Sequence, residues 1–189
     1  MNVNAPRPSS PRIEPLTDLS GEAAEVAATT ILKPDGTPLN IFGVLAKHPK
    51  LLKRFNLLGG FLLNKGLVPE REREIVILRV GWNARAPYEF GQHTAIGRRC
   101  GLSDDEIRRL ASDDPGKWPD HELDLIIMVD ELCDDDCVGD ETFGRLLARW
   151  SEAEVIELVV CAGFYRMVSG FLNTIGVELD DGVPEAPWT

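Results

Sequence analysis

Histidine is scarce in this 189-residue chain, with three in all, and tyrosine scarcer still, with two. A chain so poor in imidazole has few places to put acid-base chemistry near neutrality. The four cysteines (Cys100, Cys133, Cys137 and Cys161) form no C-x-x-C and no zinc-like spacing. Positive charge is also in short supply. Lys and Arg number 20 against 31 Asp and Glu, a formal net charge of -11. With no basic patch, nucleic acid and anionic membrane surfaces are not expected as partners. The N-terminus shows no hydrophobic leader region. Apolar runs are broken well short of the roughly 18 residues of a membrane span, the longest candidate (155–172) by Glu157 and Arg166. A cytoplasmic protein with reduced thiols is expected.

What is present suits one globular domain. Apolar residues make up 43% and charged residues 27%. Residues 1–38 read as an extended arm with a weak helix at 21–32, residues 39–178 as an all-α domain, and residues 179–189 as a polar, Pro-rich tail carrying Trp188. No stretch reads as a strand. Helical periodicity marks 39–48, 50–66, 69–83, 87–100, 104–111, 120–133, 141–149 and 152–175. Ser103 with Glu106 and Ser151 with Glu154 have capping-box spacing. Gly59 and Gly60 interrupt one helix, each costing about 1 kcal/mol relative to Ala, which predicts close packing or a kink. The run Asp134–Asp136 is expected to end a helix, and Asp140 to cap the next.

Residues 69–101 are the organising stretch. A charged helix start, Pro69 to Glu74, runs into Ile75-Val76-Ile77-Leu78. After a break at 83–87, a second helix carries Tyr88, Glu89 and His93. Glu89 and His93 are spaced i, i+4 and share a face. At about 1.5 Å of rise per residue, Glu74 and His93 lie about one turn apart across an antiparallel hairpin, within partial reach of a Glu side chain. The spacing permits a Glu74–His93–Glu89 cluster. It equally permits an exposed salt bridge on a helix face.

The segments RERE-IVILRVGW, YEFGQH and GLSDDEI, followed by WSEAEVIELVVCAGFYRM, together resemble the carboxymuconolactone decarboxylase family and its alkylhydroperoxidase D-like relatives. The resemblance spans roughly residues 40–182. It implies an alkylhydroperoxidase D-like helical bundle and a homo-oligomer, usually a trimer or hexamer. Redox members carry a Glu, a C-x-x-C and a His four residues later. Glu74 and His93 match the Glu and the His, while Ala86 and Glu89 stand at the two thiol positions. Peroxidase chemistry, which needs a low-pKa thiol and a resolving partner, is therefore disfavoured.

The resemblance implies a carboxy-lyase acting on a small lactone or aromatic-derived acid. His93 is the expected general acid/base, oriented by Glu74 and Glu89. Tyr88, Arg85 and Tyr165 are the expected substrate contacts. Asn173 is read as a packing or capping residue, and Arg79 could hold a substrate carboxylate or simply pair with a carboxylate of the acidic chain. Glu74, Glu89 and His93 could form a facial set for a divalent ion, but His48 and His121 have no ligand-like spacing to His93, and no metal and no cofactor are expected. Two carboxylates beside an anionic substrate would repel it, unless one is protonated, an arginine compensates, or the substrate is not a dianion. A non-catalytic ligand-binding oligomer is the remaining alternative, and it would seal the core around His93.

Overall fold

A computed structural model describes residues 6–188. Those residues form nine helices: α1 (Gly21–Ala27), α2 (Asn40–Leu45), α3 (Pro49–Asn64), α4 (Glu70–Asn83), α5 (Pro87–Arg99), α6 (Asp104–Leu110), α7 (Asp120–Asp135), α8 (Asp140–Leu147) and α9 (Glu152–Ile175). The chain is all-α. Its one β-like contact among the described residues is an isolated bridge between Leu32 and Pro38.

Helix α4 is the axis. Ile75, Val76, Ile77, Leu78 and Val80 are fully buried, and α4 packs against α5, α7 and α9. Burial of each such side chain contributes about 1.5–3 kcal/mol, so this run alone accounts for much of the core. It buries residues on every side, as an apolar block central in a bundle must. Gly81 lets α5 approach: a Cβ there would lie 3.4 Å from the Phe90 nitrogen. Antiparallel packing of α4 and α5 sets the hairpin that the sequence predicts.

The capping boxes at Ser103/Glu106 and Ser151/Glu154 are both formed and start α6 and α9. Pro49 and Pro87 occupy first-turn positions of α3 and α5. The acidic run ends α7 as expected, and one boundary differs. Helix α7 runs through Asp134 and Asp135 and stops at Asp136, which adopts a left-handed conformation and pairs with Arg166 at 2.7 Å. Asp140 lies inside α8, whose N-cap is Gly139. Of the two mid-helix glycines of α3, only Gly59 has a packing explanation. A Cβ on Gly59 would lie 3.3 Å from the Phe164 ring, and one on Gly60 would point into open space.

Helix α9 is, by length and composition, apolar enough to cross a membrane, contrary to the expectation from its charges. In this fold half of that stretch is buried within the bundle. Its Glu157 is capped by protein: the carboxylate accepts from the N–H of Leu67 at 2.8 Å and of Val68 at 3.0 Å.

Both ends of the chain fold back over the bundle. Arg12 bonds the carbonyls of Thr174 and Ile175, and Leu16 N–H bonds the carbonyl of Gly43. In the tail, Trp188 packs edge-on to Trp82 at 5.0 Å and to Phe90 at 4.8 Å. The tail's apolar residues thus find their partners on the α4–α5 hairpin of the same chain.

Candidate active site

Glu74 leaves the apolar run of α4 one residue before Ile75 and is fully buried. A buried carboxylate must be paired or neutralised. It is paired twice. Arg73 Nε donates to Glu74 Oε1 at 3.0 Å, and His93 Nδ1 lies 2.7 Å from Glu74 Oε2. Arg73 is itself pinned by a bond to the Leu63 carbonyl at the end of α3. On the other side of the imidazole, Nε2 lies 3.1 Å from Glu89 Oε1. That approach makes an ion pair, but it is not aligned as a hydrogen bond. Glu89 Oε1 is buried, and the imidazole is its ion-pair partner.

The hairpin therefore brings Glu74, His93 and Glu89 together and buries all three. The exposed salt bridge that the i, i+4 spacing also allowed is not what forms. Burial alone pushes the His93 pKa down. The two carboxylates outweigh it and hold the imidazolium up to about 10. In sequence along the cluster, Arg73, Glu74, His93 and Glu89 alternate in sign and balance to zero.

A cavity of about 300 Å3 reaches this cluster. Glu89, His93, Tyr88 and Gln92 of α5 form one wall. Phe42 of α2, Phe55 and Asn56 of α3, and Phe164 and Tyr165 of α9 contribute to the rest, together with residues 29–31 after α1. The core around His93 is open, not sealed. Tyr165 packs edge-on to the His93 ring at 5.0 Å, and burial first, then the Glu89 carboxylate, raises its hydroxyl pKa.

The remaining expected contacts are placed differently. Tyr88 lines the cavity with its ring, yet its hydroxyl donates to Asp180 Oδ2 at 2.5 Å and accepts from Ile41 N–H. Burial, reinforced by that carboxylate, pushes its pKa up. Tyr88 thus cannot offer a free donor to a ligand. Arg85 sits in the α4–α5 turn with a positive φ of 47° and is not part of the cavity wall. Its carbonyl accepts from Arg7. Arg79 makes a two-pronged pair with Asp130 and bonds the carbonyls of Leu110 and Ser112. Asn173 caps the end of α4 through the Ala84 carbonyl. Of the two roles open to Arg79, pairing with a carboxylate of the chain is the one formed.

Sequence reasoning missed Asp180. Its buried carboxylate gathers Tyr88, Gln92 at 2.8 Å, the Asn40 N–H at 3.0 Å and Lys33 at 3.0 Å. It ties the tail to α5, α2 and the segment before α2, three parts of the cavity surround. No local motif marks it, because its partners lie far away in the chain.

No thiol lines the cavity. Burial pushes Cys161 up to about 12 and raises Cys133, with the exposed Cys137 on the far loop. Neither supplies a ready thiolate. Outside the cavity, Glu72, His121 and Glu122 bring ligand-type atoms within 4.8 Å of one another. Arg71 already engages Glu122 at 2.7 Å, which satisfies that carboxylate without an ion.

Residues 49–114, which contain α3 to α6, match the carboxymuconolactone decarboxylase family model. No curated protein matches the chain in sequence. Several solved structures share the fold. A protein of unknown function from Agrobacterium tumefaciens, described as a putative antioxidant defence protein AhpD, is 19% identical with a TM-score of 0.66, over 72% of this chain and 94% of that one. An uncharacterized peroxidase-related protein with an alkylhydroperoxidase AhpD core, from Ralstonia eutropha JMP134, is 18% identical with a TM-score of 0.71, over 89% and 93%. The debrominase Bmp8, solved with 2,3,4-tribromopyrrole, is 14% identical with a TM-score of 0.63, over 77% and 79%. At these identities the likeness concerns the fold.

Proposed function

We propose that this chain, a carboxymuconolactone decarboxylase-like member of the alkylhydroperoxidase D-like superfamily, is an enzyme that moves a proton on a small cyclic compound. One observation carries the reading: the His93 imidazole is clamped between two buried carboxylates at the wall of a ring-sized cavity. Glu74 fixes Nδ1 and so orients the ring. His93 holds a proton that it can deliver to a carbanion or enolate. Glu89 takes a proton from the substrate or returns one to the imidazole. The apolar part of the wall lowers the local dielectric, which strengthens each of these interactions. Buried ionisable groups with strongly perturbed pKa values in a concave pocket are the expected signature of such a site.

The carboxy-lyase form of this chemistry is the version that the family implies. Loss of CO2 from a lactone acid leaves a carbanion delocalised into the lactone carbonyl, and His93 supplies the proton that quenches it. Peroxidase chemistry has no thiol at the site to carry it. The fold-mate solved with 2,3,4-tribromopyrrole supports a small ring as occupant. Self-association belongs to the same reading: Leu57 and Phe61 of α3 and Ile156 and Met167 of α9 are large, apolar and exposed, a surface that a second copy would cover.

The test is ultraviolet absorbance with 4-carboxymuconolactone, alongside deuterium exchange into a panel of ring compounds, for the parent, His93→Ala and Glu74→Gln. Turnover or exchange lost by at least about a hundredfold in both variants is expected of a general acid/base. Equal rates in parent and variants would overturn the reading.

A further inference from the structure

The cavity wall contains no arginine or lysine side chain among the described residues. Its only ionisable side chains besides Tyr88 and Tyr165 are Glu89 and His93. Arg73, the nearest buried cation behind them, is committed to Glu74 and the Leu63 carbonyl. The buried cluster already balances, two positive groups against two negative. A carboxylate ligand would add a net negative charge beside Glu89 in a low-dielectric pocket, with no cation free to meet it. Arg85, the arginine expected to compensate, is not in the wall.

A second observation points to what the cavity does accept. Glu89 is 3% exposed, and its Oε1 has the His93 imidazole at 3.1 Å as ion-pair partner but makes no aligned hydrogen bond. A carboxylate can accept several hydrogen bonds, and one in a pocket wall with a single ion-pair partner has acceptor capacity left for a ligand's N–H or O–H. Around it, Phe42, Phe55 and Phe164 present flat apolar surface. The cavity lies near the lower end of small-molecule pockets, which run from roughly 300 to 1,000 Å3.

We infer that the ligand of this cavity is an uncharged ring compound that donates one O–H or N–H to the Glu89 carboxylate, and not a carboxylic acid. Phenols and pyrrole-type N–H heterocycles have this chemistry. The inference rests on the proposed site but narrows its substrate away from the lactone acids. The aromatic rings pack the body of the ligand, and Glu89 reads the single polar edge. A pocket built to hydrogen-bond one substrate O–H rejects the analogue that lacks it far more strongly than it rejects a missing methyl.

The test is calorimetric binding to the full chain at neutral pH of three matched probes: para-cresol, para-methylanisole and para-toluate. Para-cresol is expected to bind, and the other two at least about tenfold more weakly. In Glu89→Gln the preference for para-cresol over para-toluate should shrink by a similar factor. Equal affinity for para-cresol and its methyl ether would overturn the inference, as would tighter binding of para-toluate or no binding of any probe. Because binding is read without turnover, the two proposals separate. A chain that decarboxylates an acid through His93 keeps the enzyme reading and loses this one. A chain that binds para-cresol yet exchanges no proton does the reverse.

Discussion

Asp180, in the C-terminal tail, accepts the Tyr88 hydroxyl at 2.5 Å, and so a residue outside the helical bundle holds part of the cavity wall in place. The same carboxylate takes Gln92, the Asn40 N–H and Lys33. Replacing it by alanine leaves four groups to find new partners. Asp180→Ala should cost about 1–3 kcal/mol, the penalty for orphaned buried polar groups. The urea unfolding midpoint measures this, and limited proteolysis should show earlier cleavage in the tail. An unchanged midpoint would mean that the tail is not coupled to α5.

His93 gives the fold a pH dependence of definite sign. Its folded pKa of about 10 stands above the ordinary 6.5. The stability that it contributes is therefore fully present below about 6.5 and is lost as pH rises through about 10. The parent should lose unfolding free energy across that window, and His93→Gln should show a flatter profile between the same limits. Denaturant midpoints against pH provide the check. An imidazole whose nuclear magnetic resonance shifts titrate near 6.5 would contradict the clamp.

Removing the imidazole also leaves Glu89 without its buried counter-charge. His93→Ala should be destabilised by about 3–5 kcal/mol at neutral pH, as breaking one half of a buried pair usually is. The double variant His93→Ala/Glu89→Leu should recover part of that loss, since it removes the orphan charge. Failure of the second change to help would place the cost in the cavity and not in the charge. Thermal and chemical denaturation of the three proteins separate these outcomes.

Neighbouring glycines in α3 should respond in opposite directions. At Gly60 a new Cβ meets nothing within 4 Å, so Gly60→Ala should stabilise by about 0.5–1 kcal/mol through helix propensity. At Gly59 the Cβ would crowd Phe164 at 3.3 Å, which offsets the same gain. Gly66 is the extreme case, with Glu157 Oε1 only 2.2 Å from the added carbon. Gly66→Ala should break the two bonds that Glu157 makes to Leu67 and Val68 and cost stability. The order of the three melting temperatures tests the packing of α3 against α9.

Much of the fold was readable because its signals are local. Proline at first turns, Ser–Glu capping boxes and the apolar run at 75–78 each act within a few residues, and each gives a helix close to the expected bounds. Glu74, Glu89 and His93 were readable because one hairpin holds all three. The failures are long-range. Arg73 reads as one charge in a charged helix start, and only folding shows that it faces Glu74 and the end of α3. Asp180 reads as one acid in an acidic tail. Arg85 reads as a cation near the site, yet it falls in the turn with its carbonyl taken by the N-terminal arm. The cavity itself has no sequence signature, since its wall is drawn from α2, α3, α5 and α9.

The edge-on contact of Trp188 with Trp82 makes the molecule carry its own optical gauge. Two indoles 5.0 Å apart and nearly perpendicular, at 75°, couple their electronic transitions. That coupling adds an exciton contribution of this pair to the far-ultraviolet circular dichroism, which is lost when the tail lifts away. The docking of the segment that carries Asp180 can thus be followed in real time on unlabelled protein, while ligands are titrated into the cavity on the other side of α5.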